Sequence, residues 1–370
     1  MRKLLSAIAV SSVFLVICFF LIRFILQLIT PTNGFLTVSS SLPKSQVSLD
    51  SKQVGNSPYQ GENLKVGTYK LKLEGKFATA SSKFFSGRTV SWSNQINVGS
   101  NTLTVVNIDF GPTDPFNAVE TLSLRRGTTS LSLATQPRGA KVDLDSKNFG
   151  ESPLAKEAKA GVHRITLSKD GYLTRQLDIN IPEGYQTVIQ VTLSANPLPK
   201  TNGKLSTKAA LNLYNLSSSL GSLLEKPDLW AEGVWFFQEK SPSLETKFDA
   251  LIDFNGKAYY YDKAAFKTSL NSNLALNVGY LGKLSDKGLT AEAQTAWDLL
   301  VPATKITQVE ILPTPTGILN VRDGPSQTNK VLTTIKPGEK YELTAEQSGW
   351  YKIKVGATEG WISSQYAKKL

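Results

Sequence analysis

The chain of 370 residues contains a single cysteine, a single methionine and a single histidine. Catalysis by a cysteine–histidine pair and binding of zinc each require several such side chains, and only Cys18 and His163 could supply them. Composition therefore excludes enzymes of these two classes, and it excludes a disulfide bond within the chain. We expect no cofactor, no metal site and no enzymatic activity.

Charged residues are also scarce. They make up 19% of the chain, with 41 Lys and Arg against 30 Asp and Glu, which gives a formal net charge of +11. The excess is spread along the chain, whereas a nucleic-acid binder usually concentrates Lys and Arg on one helix or stripe. We therefore expect weak attraction to an anionic surface and no nucleic-acid partner. Hydrophobic residues reach 41%, which is enough for two or three folded units.

The longest apolar run lies at the N-terminus. No charged residue occurs over the 19 positions from Leu4 to Ile22, and a helix of that length spans about 28 Å, close to the thickness of a bilayer's hydrocarbon core. Arg23 is expected near the interface, since an arginine at mid-bilayer costs ~2.5–3.5 kcal/mol. Apolar residues then continue, so residues 4–29 are predicted to contact lipid as a transmembrane helix.

The charges around this run predict its orientation. Arg2 and Lys3 favour a cytoplasmic N-terminus, which would make residues 1–30 a single-pass signal anchor in the cell membrane and place residues 31–370 outside the cytoplasm. Two alternatives share the pattern. One is a cleaved signal peptide, although no small-residue cleavage site follows the run. The other is a lipoprotein modified at Cys18, although the residues after this cysteine stay apolar.

A duplication follows the apolar run. Residues 47–58 and 142–153 align at an offset of 95, and eight of the twelve pairs are identical. After one residue of slippage, the alternating pattern of residues 67–73 matches that of residues 161–167. Alternation of apolar and polar residues around turn sequences predicts strands with one buried face. The chain therefore contains two copies of one β module.

The second copy carries four short sequence features, Pro-Arg-Gly-Ala, Gly-Glu-Ser-Pro-Leu, Gly-Val-His and Lys-Asp-Gly-Tyr, at residues 137–140, 150–154, 161–163 and 169–172. These features resemble the PEGA domain, a small bacterial β-sandwich of extracytoplasmic proteins. The first copy is more divergent at residues 43–46. The resemblance implies a structural or interaction module without an active site. His163 aligns with Tyr69 of the first copy, so we expect a strand side chain and not a ligand or a catalytic group.

The two predicted β-sandwiches, residues 34–111 and 129–195, are separated by a predicted linker at 112–128. The first sandwich contains 11 extra residues near 78–92, which include aromatic and basic side chains: Lys83, Phe84, Phe85, Arg88 and Trp92. Such a composition is enriched at interfaces. We expect this insertion to contact a neighbouring envelope protein or the membrane headgroups. The alternative is that the aromatic side chains fold back and cover the edge of the sandwich.

Residues 196–204 contain two prolines and a glycine and are predicted to be a linker. Residues 205–311 form the next module. Leucines at steps of three or four over residues 205–224 predict an amphipathic helix. Alternating apolar residues on both sides of Asn255-Gly256 predict a β-hairpin with a type I′ turn, and a second helix is expected over Ala291–Leu300. The module is therefore predicted to be α+β.

Acidic residues of this module raise a second function. A glycosidase uses two carboxylates about 5–10 Å apart, and a wall glycosidase with its site in residues 205–302 is an alternative. The spacing selects no such pair, however. Asp249 and Asp253 alternate with the apolar side of their strand, which predicts that they lie on a solvated sheet face.

The C-terminus carries the most specific pattern. A Pro-rich linker at 312–316 precedes a Leu-Asn-Val-Arg-Asp-Gly-Pro-Ser stretch, a Lys-Pro-Gly turn and two strands that begin with Gly-Trp, at residues 319–326, 336–338, 349–353 and 360–363. Alternation and turns predict a small β-barrel. Residues 317–370 resemble a bacterial SH3 (SH3b) domain over nearly their whole length. The resemblance implies recognition of cell-wall peptides or glycans, so peptidoglycan or another cell-wall polymer is the expected partner.

Aromatic residues are unusually dense in this short barrel: Trp350, Tyr351, Trp361 and Tyr366. Aromatic side chains bury large areas, so we expect at least two of them in the core, and Trp361 is the first choice. The predicted ligand groove uses Asn320, Arg322, Trp350 and Tyr366. The alternative is that these residues only pack or lie at solvated strand ends.

These patterns predict a mainly β protein with an N-terminal transmembrane helix, two tandem β-sandwich modules, a middle α+β module and a C-terminal SH3-like β-barrel. We expect a non-catalytic envelope protein that binds or positions at the cell wall through its barrel, with the PEGA repeats as a stalk. The main alternative is a sensor or assembly subunit that binds another envelope protein.

Overall fold

The computed structural model describes residues 33–78, 84–198, 203–208, 210–241, 244–272, 274–300 and 308–370. The predicted anchor, residues 1–30, and Lys83 of the predicted interface lie outside these ranges. Within them, no helix combines the length and the apolar character needed to cross a bilayer. The chain divides into two compact units, one ending at Trp297 and the other beginning at Asp298. Strands predominate, which confirms the mainly β prediction.

Strands with alternating burial build both repeats. The first repeat contains β1 (Asn33–Ser40), β2 (Gln46–Leu49), β3 (Lys52–Asn56), β4 (Tyr59–Lys65), β5 (Gly67–Lys76), β6 (Thr89–Val98) and β7 (Leu103–Asp109). A 3-10 turn at Asp114–Phe116 leads to β8 (Ala118–Arg126). The second repeat contains β9 (Ser130–Gln136), β10 (Lys141–Leu144), β11 (Lys147–Glu151), β12 (Leu154–Glu157), β13 (Gly161–Ser168), β14 (Arg175–Ile181) and β15 (Tyr185–Thr192).

One sheet runs through both repeats. Its seven strands are ordered β12-β9-β15-β8-β7-β1-β4, and β8 pairs with β7 on one side and with β15 on the other. The prediction of a linker at 112–128 is therefore corrected, because these residues supply the strand that joins the repeats. Val119 of β8 packs into the core of the first repeat, whereas Leu122, on the opposite face, packs against the core of the second.

A four-stranded sheet completes each repeat, in the order β3-β2-β5-β6 in the first and β11-β10-β13-β14 in the second. Because Val119 and Leu122 face different cores, these two sheets cover opposite faces of the shared sheet. The duplication extends to the turns. Asp50 and Asp145 adopt left-handed backbone conformations, with φ of 48° and 49°, at equivalent tight turns.

The strand register gives the shared sheet two distinct ends. Asn33 of β1 pairs with Lys65, and Leu103 begins the parallel strand β7. The antiparallel strand β8 brings Arg126 to the same end, which we call the N-terminal end. Asp109 lies at the opposite end, which we call the far end. Strand β5 covers most of this distance with ten residues, about 33 Å at ~3.3 Å per residue.

The middle module combines a five-stranded sheet with helices. Its strands, in the order β16-β17-β20-β18-β19, are β16 (Lys204–Lys208), β17 (Leu211–Asn215), β18 (Ala250–Asp253), β19 (Ala258–Tyr260) and β20 (Leu276–Leu281). Its helices are α1 (Gly221–Leu224), α2 (Pro227–Lys240), α3 (Lys263–Asn271) and α4 (Ala291–Leu300). Strand β20 is parallel to both neighbours, so the module has α/β connections where we expected α+β.

The local predictions for this module have mixed outcomes. Helix α4 is confirmed, and so is the hairpin β18–β19. The hairpin loop is longer than a type I′ turn, and of its two predicted central residues only Gly256 has a positive φ, 81°. The prediction of one helix over 205–224 is wrong: the segment contains strands β16 and β17, and of its described residues only Gly221–Leu224 is helical. Leucines two positions apart also fit a strand, and Leu211 and Leu213 are both fully buried.

Both repeats and the middle module pack into one body at the far end. A continuous hydrophobic core extends from β1 and β7 into α2. Phe116 lies so close to Gly233 of α2 that no side chain would fit at the glycine. The indole of Trp230 donates a hydrogen bond of 2.9 Å to the carbonyl of Pro197. The described start of the predicted linker at 196–204 is therefore packed against the module.

The second unit is an SH3-like barrel. Its strands are β21 (Gln308–Ile311), β22 (Leu319–Arg322), β23 (Val331–Ile335), β24 (Lys340–Gln347), β25 (Trp350–Val355), β26 (Thr358–Ser363) and β27 (Ala367–Lys369), in the order β23-β22-β26-β25-β24-β21-β27. We expected residues 308–311 in the middle module, but β21 pairs with β24 and β27. Val309 and Ile311 are 0% and 1% exposed, so β21 completes the barrel core.

Candidate functional site

Three adjacent strands of the barrel carry a row of polar and aromatic side chains. Trp361 of β26 lies directly opposite Arg322 of β22 on one side and Lys352 of β25 on the other. Directly opposed side chains point to the same face of a sheet. Their chain neighbours are fully buried: Val321, Ile353 and Ile362. The row therefore faces away from the barrel core.

Alternation along the strands adds two residues to this row. Asn320 lies two positions before Arg322, and Trp350 lies two positions before Lys352, so both point to the same side. We define the outer face as Asn320, Arg322, Trp350, Lys352 and Trp361. Three of the four predicted ligand residues thus share one face. Tyr366 does not, because it lies in a 3-10 turn and packs against the barrel core.

The expectation that Trp361 fills the core is wrong. Ile362 takes the core position, with 0% exposure, and Trp361 stays partly exposed. Gly360 is the cause, because it is buried against Val321 with no space for a side chain. With Gly360 and Ile362 facing inward, strand alternation turns Trp361 outward. An accessible indole on a sheet face can stack on a sugar ring or an apolar group.

Two polar contacts organise the outer face. Arg322 Nη1 donates a hydrogen bond of 2.7 Å to the carbonyl of Asn329. A guanidinium has five N–H donors, so Arg322 keeps donors for a ligand carboxylate. Lys352 Nζ lies 2.6 Å from Glu359 Oε2, and this ammonium lowers the pKa of Glu359. The outer face therefore combines cations that can bind carboxylates with indoles that can stack on sugars.

The insertion of the first repeat packs within the chain. Phe85 is 1% exposed, and its ring centroid lies 5.6 Å from that of Phe236 on α2. Phe84 is 42% exposed and stacks on Tyr261 of the middle module, with centroids 6.0 Å apart. The backbone N–H of Phe84 donates a hydrogen bond of 3.3 Å to Glu239. The insertion thus docks the first repeat on the middle module.

The other predicted interface residues follow the same pattern. Arg88 Nη1 lies 2.8 Å from Glu232 Oε2 on α2, and Trp92 of β6 is partly buried against the core of the first repeat. Strand β5 runs from the N-terminal end toward this insertion, so the insertion lies at the far end. Its described residues are therefore engaged inside the chain, and they lie away from the point where the chain leaves the predicted anchor.

The acidic residues of the middle module hold its backbone. Asp253 is only 2% exposed, so the prediction of a solvated position is wrong. Its carboxylate accepts bonds of 2.9 Å from the N–H groups of Asn255 and Lys257 and one of 2.8 Å from the Tyr259 hydroxyl. Asp249 accepts a bond of 2.8 Å from the N–H of Asn277, and burial raises its pKa. Both carboxylates therefore stabilise the sheet and the hairpin.

A cleft that no sequence pattern indicated opens at the far end. It has a volume of about 140 Å³ and lies where both repeats meet the middle module. Asp109 lies 3.6 Å from Arg175 and 3.7 Å from Lys240, so it joins the three modules electrostatically. Arg175 also pairs with the buried carboxylate of Glu120. Since these charges balance one another, we interpret the cleft as a junction between modules.

His163 makes two contacts that stabilise a turn of the second repeat. Its Nδ1 lies 2.7 Å from Asp145 Oδ2, and its Nε2 lies 2.9 Å from the carbonyl of Lys159. The Asp145 carboxylate raises the pKa of His163. In the first repeat, the Tyr69 hydroxyl donates a bond of 2.8 Å to the carbonyl of Lys65. The two aligned side chains therefore each bond to the backbone carbonyl four residues earlier. This is the structural role expected of a strand side chain.

Comparison with protein families agrees with both resemblances. Residues 33–83 and 128–197 match the PEGA domain, and residues 317–368 match the bacterial SH3 domain. The chain therefore contains two PEGA domains and one bacterial SH3 domain. The first PEGA match ends within the insertion at 78–92. A search of curated proteins finds no relative of the chain.

Both families are of the binding type. PEGA domains are extracellular-type modules, and bacterial SH3 domains generally bind cell-wall polymers. Of the two matched families, neither is a catalytic domain. The matches therefore suggest cell-wall binding, and the outer face is the part of the barrel whose chemistry fits such a ligand.

Proposed function

We propose that this protein is a membrane-anchored, non-catalytic envelope protein that binds the cell wall through the outer face of its barrel. The observation that carries the proposal is the row formed by Arg322, Trp361 and Lys352 on a bacterial SH3 domain. Wall polymers present peptide carboxylates beside sugar rings. A row of alternating cations and indoles matches both groups at once.

The first unit serves as a rigid support in this proposal. Strand β8 joins the two repeats, and the contacts of Phe85 and Phe116 with α2 join them to the middle module. Residues 4–29 form the anchor, for which the uncharged run over residues 4–22 and the basic residues before it are the support. The chain then enters the N-terminal end of the shared sheet, with the middle module at the far end.

The non-catalytic part of the proposal is supported by the acidic residues. The buried carboxylate of Asp253 has three donors within its own hairpin. Asp249 bonds to the neighbouring strand. The bonds of Asp253 leave this carboxylate engaged within its own hairpin, and both carboxylates hold backbone N–H groups, which differs from the paired acid and nucleophile that a glycosidase requires.

Sedimentation with isolated sacculi tests wall binding. The proposal expects residues 31–370 to sediment with the sacculi and residues 31–297, checked for native circular dichroism, to stay in the supernatant. Equal sedimentation of both proteins would place wall binding outside the barrel. Release of muropeptides by residues 31–370 above the buffer level would contradict the non-catalytic part.

Protease accessibility tests the anchor separately. In spheroplasts, the full chain is expected to sediment with the membranes, and protease added outside is expected to digest residues 31–370. A mature form that begins near residue 31 and stays soluble would contradict the anchor while leaving wall binding by the barrel untouched.

A second candidate function, binding of another envelope protein, is favoured by strand β6. This ten-residue strand lies at the open edge of its sheet and contains no charged residue from Thr89 to Val98. Natural edge strands usually carry charges or prolines that prevent pairing with other chains. Photo-crosslinking from the exposed Gln95, with Ser93→Lys as the blocking variant, tests strand addition. A crosslink to one protein that the lysine removes would support this function.

A further inference from the structure

We propose that the N-terminal end of the shared sheet rests on an anionic bilayer surface. The inference deepens the proposed function and rests on its membrane anchor. It assigns the membrane contact to the sheet end at which the described chain begins. The insertion near residues 78–92, which we had expected to contact headgroups, lies at the other end.

Exposed apolar side chains mark this end. Phe35 and Leu103 are 40% and 41% exposed and lie directly opposite each other in the register of β1 and β7. Val66 is 48% exposed and follows Lys65, the partner of Asn33. Leaving such side chains in water costs free energy, and neighbouring exposed apolar residues usually mark a contact surface.

Val162 belongs to the same end through the second repeat. It is 78% exposed, next to Gly161, which pairs with Ile181 shortly before β15 begins at Tyr185. Tyr185 in turn pairs with Arg126 at the N-terminal end of the shared sheet. Both repeats thus contribute an exposed apolar residue to one end of the molecule.

Basic side chains surround these apolar residues. Exposed bases at this end include Lys65, Arg125, Arg126, Lys156 and Lys159, and exposed acids there include Glu62, Asp145, Glu157 and Glu183. An open groove of about 340 Å³ at this end is lined by Arg126 and Lys156 and also by Glu157. Apolar and basic residues together suit the interface of an anionic membrane, where each base near the surface adds about a fivefold increase in affinity.

The length of the chain places this end at the membrane. The apolar run ends at Ile29, and only residues 30–32 separate it from Asn33. Three residues extend at most ~3.3–3.6 Å each, about 11 Å in total. If residues 4–29 are in the bilayer, the N-terminal end of the sheet cannot leave the headgroup region by more than about this distance. The far end, about 33 Å away along β5, stays clear of it.

Fluorescence quenching in vesicles tests the proposal. The full chain carrying Cys18→Ser is labelled with a dye at Leu103→Cys or, as a matched apolar control, at Leu284→Cys, which is 59% exposed in the middle module. Vesicles contain phosphatidylcholine, phosphatidylglycerol and a lipid with a spin label on its headgroup. We expect strong quenching at position 103 and none at 284.

Charge reversal tests the anionic part. Arg125→Glu with Arg126→Glu is expected to remove most of the quenching at position 103, as are vesicles without phosphatidylglycerol. Arg138→Glu with Lys247→Glu reverses two exposed charges away from this end and is expected to change nothing.

The outcomes separate this proposal from the anchor on which it rests. A full chain that does not associate with vesicles shows that the anchor is wrong. A chain that associates but is quenched equally at positions 103 and 284 overturns the contact proposed here and leaves the anchor intact. Quenching at 103 that survives both charge reversal and the removal of phosphatidylglycerol overturns the assignment to an anionic surface.

Discussion

Arg88 of the first repeat lies 2.8 Å from Glu232 on helix α2 of the middle module, although the two residues are 144 positions apart in sequence. The pair is partly exposed, with side-chain exposures of 36% and 29%, so its own contribution to stability is expected to be about 1 kcal/mol or less. It lies beside Phe85, over whose ring the guanidinium is placed at 5.7 Å. The packing of this ring, more than the ion pair, should hold the modules together.

Truncation of Phe85 tests this ranking. Phe85→Ala should lower the free energy of unfolding of residues 31–370 by about 3–5 kcal/mol, because it leaves a cavity in the core shared with α2. Phe84→Ala, at a ring that is 42% exposed, should cost clearly less. Urea denaturation followed by tryptophan fluorescence measures both. A larger loss for Phe84→Ala would mean that the insertion does not dock as described.

The contacts of His163 predict a contribution to the stability of the second repeat that depends on pH. Both ring nitrogens face acceptors, Asp145 and the carbonyl of Lys159, so the protonated ring is favoured and its pKa is raised. The resulting stabilisation is fully present below the unfolded pKa of about 6.5 and is lost as the pH rises through the higher folded pKa. An NMR titration of the only histidine should have its midpoint above about 6.5.

Substitution of the partner provides the control for this titration. Asp145→Asn should move the midpoint back toward the ordinary histidine value, because it removes the carboxylate. Asp178→Asn, at a carboxylate paired with Arg164, should leave it in place. A titration midpoint in the unaltered protein at or below the ordinary histidine pKa would show that the contacts of His163 with Asp145 and Lys159 do not form in solution.

The barrel boundary predicts which fragment folds. A fragment of residues 298–370 includes β21 and should unfold cooperatively, whereas residues 313–370 lack Val309 and Ile311 of the core. Burying each such side chain contributes roughly 1.5–3 kcal/mol, so the shorter fragment should lose about 3–6 kcal/mol. Thermal unfolding followed by circular dichroism compares the two. Equal stability would show that β21 is not part of the barrel.

Removal of the Asp253 carboxylate should destabilise the middle module. Asp253→Ala removes a buried carboxylate that accepts bonds from the N–H groups of Asn255 and Lys257 and from the Tyr259 hydroxyl, and the loss of these charge-assisted bonds should cost about 1.5–3 kcal/mol. Asp262→Ala is a matched control, because this exposed carboxylate caps α3 through two N–H groups and should cost about 1 kcal/mol. Denaturant unfolding measures both. A loss no greater at Asp253 would contradict its structural role.

The duplicated sequence predicted the repeats well because its evidence is local. The Asp-Ser turns and the strands around them depend on residues close in sequence, and the structure repeats them at Asp50 and Asp145. Strand β8 was missed because it lies outside the duplicated segments and buries Val119 on one face and Leu122 on the other. Such a strand lacks the one-sided pattern that predicts a half-buried strand.

The candidate site was predicted only in part for a similar reason. Periodicity places Asn320 and Arg322 on one side of β22, but the inward direction of β26 depends on the close approach of Gly360 to Val321, a contact between distant residues. The same holds for the insertion. Its composition led us to expect contact with a neighbouring protein or the membrane headgroups, and only the folded chain shows that α2 is the partner of Phe85.

Two aromatic residues of the barrel allow the most direct test of wall binding by the outer face. Trp361 lies on that face, and Tyr366 packs against the core. In residues 31–370, Trp361→Ala should weaken sedimentation with isolated sacculi by roughly tenfold or more and leave barrel stability nearly unchanged. Tyr366→Ala should lower stability and, at temperatures where the barrel remains folded, retain sacculus binding. Unchanged sacculus binding by Trp361→Ala would contradict the account.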